Sequence, residues 1–168
     1  MQSVDFVSYF TAGMGYAVAK GNPKNVNPDD LCGLNVAVET GTVEEDAINE
    51  TAKQCKADGK KDITIQSSKQ QTDATTAVVT GKADVFFADS PVVGYAIAQT
   101  EGQLEQLGKD FDSVPNAIAI KKGDSQTTDA VQKAMQKLMD DGTYGKILQH
   151  WGVESGALDK AEINPSVD

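Results

Sequence analysis

A chain of 168 residues with 39% apolar content can bury a real core, and disorder over most of its length is excluded. Its 25 acidic residues against 15 basic give a net charge of −10, spread along the chain; this reads as solubility and disfavours nucleic-acid binding, which needs clustered Lys and Arg. No apolar run approaches the roughly 20 residues that span a bilayer, no signal peptide opens the chain, and Met1-Gln2-Ser3 reads as a start placed in mid-sequence.

Taken in order, Tyr16 to Lys20 reads as a short apolar strand, ended by the turn-rich Gly21-Asn22-Pro23-Lys24-Asn25. Asn27 to Leu31 reads as a short helical turn leading into a strand at Asn35 to Glu39. The spacing predicts a helix from Val43 to Cys55, a polar turn, and a strand at Ile63 to Gln66. Thr72 to Thr80 follows as a helix closed by Gly81. Ala83 to Ala88 is the next strand and Pro91 to Gln99 its helix. A Gly- and Gln-rich loop leads to a strand at Asn116 to Lys121. Thr128 to Met139 carries Val131, Ala134, Met135 and Leu138 at helical spacing, and Tyr144 to Trp151 forms a second short helix beyond Gly142. Residues after Gly156 read as a frayed tail. Strand and helix alternate through the middle of the chain, the pattern of a parallel sheet with right-handed crossovers.

Two strand–helix corners carry the functional signal. Val36-Ala37-Val38-Glu39 stops at Thr40-Gly41, and a helix begins behind Thr42-x-x-Glu45, a capping box. Such a corner aims backbone N–H groups and a helix dipole at one point and suits a small anion such as a carboxylate. The second corner, Val85-Phe86-Phe87-Ala88-Asp89-Ser90-Pro91, ends its strand on a carboxylate that suits a small cation. Ser90 as cap with Pro91 at the first helical position leaves Asp89 to face a site. In open α/β sheets both corners lie beyond the carboxyl ends of the strands, where ligands sit. An anion site beside a cation site matches the backbone of an amino acid. Thr42 and Asp89 each also suit plain helix capping. Glu39 sits at the strand end beside the first corner, where hydration suits it. Glu44, Glu45 and Asp46 stabilise the helix start yet weaken its pull on an anion.

Cys32 and Cys55 flank the first corner. A disulfide between them would staple one β-α unit and imply an oxidising compartment; two buried thiols in a cytosolic protein is the other reading. No CxxC or Cys/His spacing favours zinc. His150, the only histidine, stands beside Trp151 with nothing placing it near a nucleophile, so packing at a helix end is its expected role and no catalytic group is assigned.

Four segments in order resemble the family 3 extracellular solute-binding proteins, the polar amino acid receptors of ABC importers. Val4-Asp5-Phe6-Val7-Ser8-Tyr9-Phe10 resembles the family's hinge. Asp30-Leu31-Cys32-Gly33-Leu34-Asn35-Val36-Ala37-Val38 with Thr40-Gly41-Thr42 resembles its first signature. Thr80-Gly81-Lys82-Ala83-Asp84-Val85-Phe86-Phe87-Ala88-Asp89 resembles its second. Asp141-Gly142-Thr143-Tyr144-Gly145-Lys146-Ile147-Leu148-Gln149-His150-Trp151-Gly152 resembles its C-terminal helix. The resemblance implies an α/β fold: a type II periplasmic-binding-protein lobe, with a parallel-rich sheet and flanking helices, over 1–120. Residues 121–168 would be C-terminal helices of the other lobe.

The resemblance further implies that Thr40, Gly41 and Thr42 hold an α-carboxylate, Asp89 the α-ammonium, and Glu39 the ligand side chain. It implies an extracytoplasmic, periplasmic or lipoprotein setting, a permease as partner, and neither cofactor nor metal. The resemblance begins at the hinge segment, so the family's N-terminal lobe is expected to have no counterpart here, and the arginine that clamps the α-carboxylate has none, since the chain contains no arginine. Val131, Leu138, Ile147, Leu148 and Trp151 are then left without an obvious core, and homodimerisation, segment exchange or folding onto the second lobe would cover them. A dehydratase-like enzyme using Asp89 or Glu39, the ligand-binding part of a sensory receptor, and an excised lobe without function of its own are the alternatives.

Overall fold

The computed structural model describes residues 3–166. Five strands form one sheet: β1 (Val4–Ala19), β2 (Asn35–Glu39), β3 (Thr64–Ser68), β4 (Val85–Asp89) and β5 (Leu104–Lys121), in the order β3-β2-β4-β1-β5. Five helices accompany them: α1 (Val43–Ala57), α2 (Gln71–Val79), α3 (Ser90–Gln99), α4 (Ser125–Asp140) and α5 (Thr143–Trp151). A short 3₁₀ turn at Glu154–Gly156 follows. β2 runs parallel to both β3 and β4, and β4 runs antiparallel to β1.

The chain divides into two compact units. One is Met14–Phe111; the other gathers the stretch up to Gly13 and everything from Asp112 onward. In the first unit β2 and β4 are apolar on consecutive residues because both sheet faces are covered. Val36, Val38, Val85 and Phe87 pack on one face with Ile48, Ala52 and Cys55 of α1. Ala37, Phe86 and Ala88 pack on the other with Ala74 and Val78 of α2 and Val93 and Ala96 of α3. Phe86 is wholly buried, and a side chain of that size contributes about 3 kcal/mol on burial. Asp84 pins the start of β2 to β4 by accepting from the Asn35 backbone N–H at 2.9 Å. The Cys32–Cys55 disulfide closes the β2–α1 unit, as one of the two sequence readings has it.

The first unit also departs from expectation. The short strand expected at Tyr16–Lys20 is the end of a continuous 16-residue β1. Asn27 to Leu31 is not helical: it forms a turn closed by an Asn27–Asp30 bridge. The expected Gly- and Gln-rich loop is mostly strand, because β5 begins at Leu104, which is buried. The loop-like composition is tolerated at a sheet edge. Pro115 lacks a ladder donor, and Gly108 and Asp112 take positive φ of 75° and 51°, kinks that an edge strand accommodates.

In the second unit the C-terminal helices find a core that the sequence does not advertise. Val131, Met135 and Met139 of α4 pack on Val7, Ile120 and Ala161. Tyr144 and Leu148 of α5 pack with Phe10, Ala12 and Val153. Residues 157–164, part of the tail expected to fray, are tied down. Ile163 bridges Val7, the Ser8 N–H donates to the Glu162 carbonyl at 2.9 Å, and Ala161 is 1% exposed. Gly156 is required here, since a Cβ would overlap the Phe10 ring and the Thr11 carbonyl. Ile147 and Trp151 remain about half exposed. His150 meets Trp151 edge-on, with ring centroids 5.1 Å apart.

Candidate functional site

The two corners meet at one rim of the first unit. The parallel register pairs Val36 with Val85 and Ala37 with Phe86. Carried three residues further, it sets Thr40 beside Asp89. The antiparallel partner of Asp89 is Met14 of β1. Of the sequence-expected residues, Glu39, Thr40, Gly41, Thr42 and Asp89 thus share the carboxyl edge of β2 and β4.

The first corner is built by Gly41 and Thr42. Gly41 has φ 81°, which a β-carbon would strain, and nothing stands within 4 Å of where that carbon would be. Thr42 is the N-cap of α1: its hydroxyl donates to the Glu39 carbonyl at 2.9 Å and accepts from the Glu45 N–H at 3.2 Å. The capping box closes differently from its usual form. Glu45 reaches past the cap and takes the Gly41 N–H at 2.7 Å. That bond, followed by one to the Ser67 side chain, holds the Glu45 carboxyl below its usual range. The Thr40 N–H is also engaged, donating to the Ser68 carbonyl at 2.8 Å. The Thr42 and Val43 amides at the head of the helix, which have no intrahelical acceptor by construction, are therefore the donors best suited to an incoming carboxylate.

The second corner places Asp89, not Ser90, at the N-cap of α3, with Pro91 in the first turn. Ser90 has already turned helical and is buried. The Asp89 side chain makes no capping bond and is exposed. Its carboxylate is therefore available to a cation, although the expected mechanism, a Ser90 cap, is replaced by an extended Asp89 backbone (φ −54°, ψ 141°).

Sequence reasoning undervalued Glu44. It is one of four buried residues of α1, with Ile48, Ala52 and Cys55. An acidic residue in register with an apolar stripe at i, i+4, i+8 and i+11 was the signal available. Its carboxyl contacts the side chains of Asp89 and Thr42. Burial first, then the charge of Asp89, pushes its pKa up. Glu44 links the two corners directly.

The family model of bacterial extracellular solute-binding proteins, family 3, matches residues 1–154. An arginine-binding protein of Corynebacterium glutamicum is 38% identical over 97% of this chain and 54% of its own length. The lysine/arginine/ornithine-binding periplasmic protein of Escherichia coli is 28% identical over 84% of this chain and 55% of its own. Among solved structures, an ancestral cationic amino acid solute-binding protein superposes with a TM-score of 0.75 at 30% identity, covering 89% of this chain and 62% of that one. The chain spans about half the length of the curated relatives it matches. On these matches, the chain belongs to the bacterial extracellular solute-binding proteins, family 3.

Proposed function

We propose that this chain supplies one lobe of an extracytoplasmic amino acid receptor that delivers its ligand to an ABC permease. The observation that carries this is the shared rim: a helix N-terminus at Thr42 and an exposed carboxylate at Asp89, set side by side by the β2–β4 register. The first would hold a ligand α-carboxylate and the second its α-ammonium. Glu39, the last residue of β2, would meet the ligand side chain. A cationic side chain fits best, since this rim carries Glu39, Glu44, Glu45 and Asp89 against Lys69, which follows β3. The names of the relatives, which include arginine-binding and lysine/arginine/ornithine-binding proteins, support that choice. The Cys32–Cys55 disulfide fits an oxidising, extracytoplasmic setting.

The stretch from 121 onward would belong to the other lobe, with half-exposed Ile147 and Trp151 completing its core. The chemistry is binding without turnover, as the names of the amino acid-binding relatives support.

With contacts from a second lobe missing, affinity for L-arginine should be weak, on the order of millimolar, because only part of the ligand surface is engaged. A ¹⁵N-resolved titration tests this. Shifts should cluster at Thr42, Val43, Asp89 and Ser90. Shifts confined to another region, or micromolar binding by this chain alone, would refute the reading.

A further inference from the structure

Glu44 has an arrangement that simple helix-start stabilisation does not explain. The residue is 4% exposed. Its Oε1 is buried and has no hydrogen-bond partner. The carboxyl also takes its own backbone N–H and contacts Thr42 and the carboxyl of Asp89. Two neighbouring carboxyl groups are not both ionised without cost, which favours the protonated form of one of them. Asp89 is exposed and can be hydrated; Glu44 cannot. The unpaired oxygen points the same way. Leaving the carbonyl oxygen of a neutral acid unpaired costs far less than leaving half of a buried carboxylate unpaired.

The charged neighbours support this placement. From β4 and α3, Asp89 is the charged group acting on Glu44. On its own helix, Glu45 is turned away onto Gly41 and Ser67. No basic side chain is among the groups that act on Glu44.

We propose that Glu44 is the positioning residue for Asp89, and that it couples ammonium binding at the rim to proton release. In the ligand-free state the neutral Glu44 acid donates to the Asp89 carboxylate and fixes it at the edge of the sheet. When a ligand ammonium reaches Asp89, the added positive charge favours ionised Glu44. The shared proton passes to solvent, one cation in and one proton out. This rests on the reading of the rim as an amino acid site, and its consequence is an affinity that rises with pH.

The test is L-arginine affinity of the native chain and of Glu44→Gln, from amide shifts at about pH 4.5 and about pH 7, a range in which the guanidinium stays charged. The native chain should bind about three- to tenfold more tightly at the higher pH, and Glu44→Gln should be flat and weaker there. Binding by both with the same pH dependence overturns the role of Glu44 and leaves the receptor reading standing. No binding by the native chain at either pH overturns both. A second measurement needs neither ligand nor a folded Glu44→Gln: the ¹³C carboxyl titration of Glu44 in the native chain and in Asp89→Asn. Glu44 should titrate at lower pH once Asp89 is neutral; an unchanged titration sinks the coupling.

Discussion

The Gly41 N–H and the Glu45 carboxylate lie 2.7 Å apart, so α1 folds one of its own acids onto the corner that would receive a ligand carboxylate. The same bond that caps the helix competes with an incoming anion, by occupying a donor and by placing negative charge beside it. Replacing Glu45 with Ala should therefore have two opposed effects. L-arginine should bind roughly two- to fivefold more tightly, as one repulsion is removed, while the melting temperature falls slightly through loss of the cap contact. Unchanged or weaker binding in the same titration would mean that the ligand carboxylate does not approach Gly41.

The Cys32–Cys55 bridge spans 23 residues of sequence and encloses β2 and most of α1. In the chain-entropy account a loop of that size stabilises by about 3 kcal/mol. Cys55 belongs to the buried face of α1 and Cys32 packs against the same cluster. The paired Cys32→Ser and Cys55→Ser replacement should therefore cost that entropy and some packing. Urea unfolding of the native chain with and without reductant, beside the double variant, checks this. Equal midpoints in all three would show that the bridge contributes nothing to the folded unit.

The middle of the chain was legible because its elements obey local rules. β2 was read at its observed limits, Asn35 to Glu39, and α1 began at Val43 as its Thr42 cap dictates. The first corner was readable for the same reason, since glycine, cap and strand end are short-range signals; the second was readable at its strand end and Pro91, while its cap is Asp89 rather than the expected Ser90. What escaped was long-range. β5 hides in a Gly- and Gln-rich stretch because an edge strand exposes most of its residues and needs little apolar content. The tail looked frayed because its partners, Phe6, Val7 and Ser8, lie more than 150 residues away. Glu44 was read as a helix-start charge because its neighbour Asp89 is supplied by another strand. Only the β2–β4 register brings the two carboxyls together.

Asp5 offers a separable pH effect in the second unit. Its carboxylate accepts from Lys122 Nζ at 2.5 Å, from the Gly123 N–H at 3.0 Å and from Asn164 Nδ2 at 3.0 Å. Three parts of the unit converge there: the start of β1, the turn after β5 and the tail. The Lys122 contact, then Gly123 and Asn164, lower the Asp5 pKa from 3.8 to about 2. The folded value lies below the unfolded one, so the contribution is complete above the unfolded value and is lost as pH falls through the folded value. The melting temperature should decline as pH is lowered from about 4 to about 2, with the amides of residues 162–164 losing exchange protection over the same window. Asp5→Asn should be less stable at neutral pH and should show a shallower decline, because its side chain no longer titrates. A native-like slope in Asp5→Asn would assign the acid sensitivity of the tail to another carboxylate.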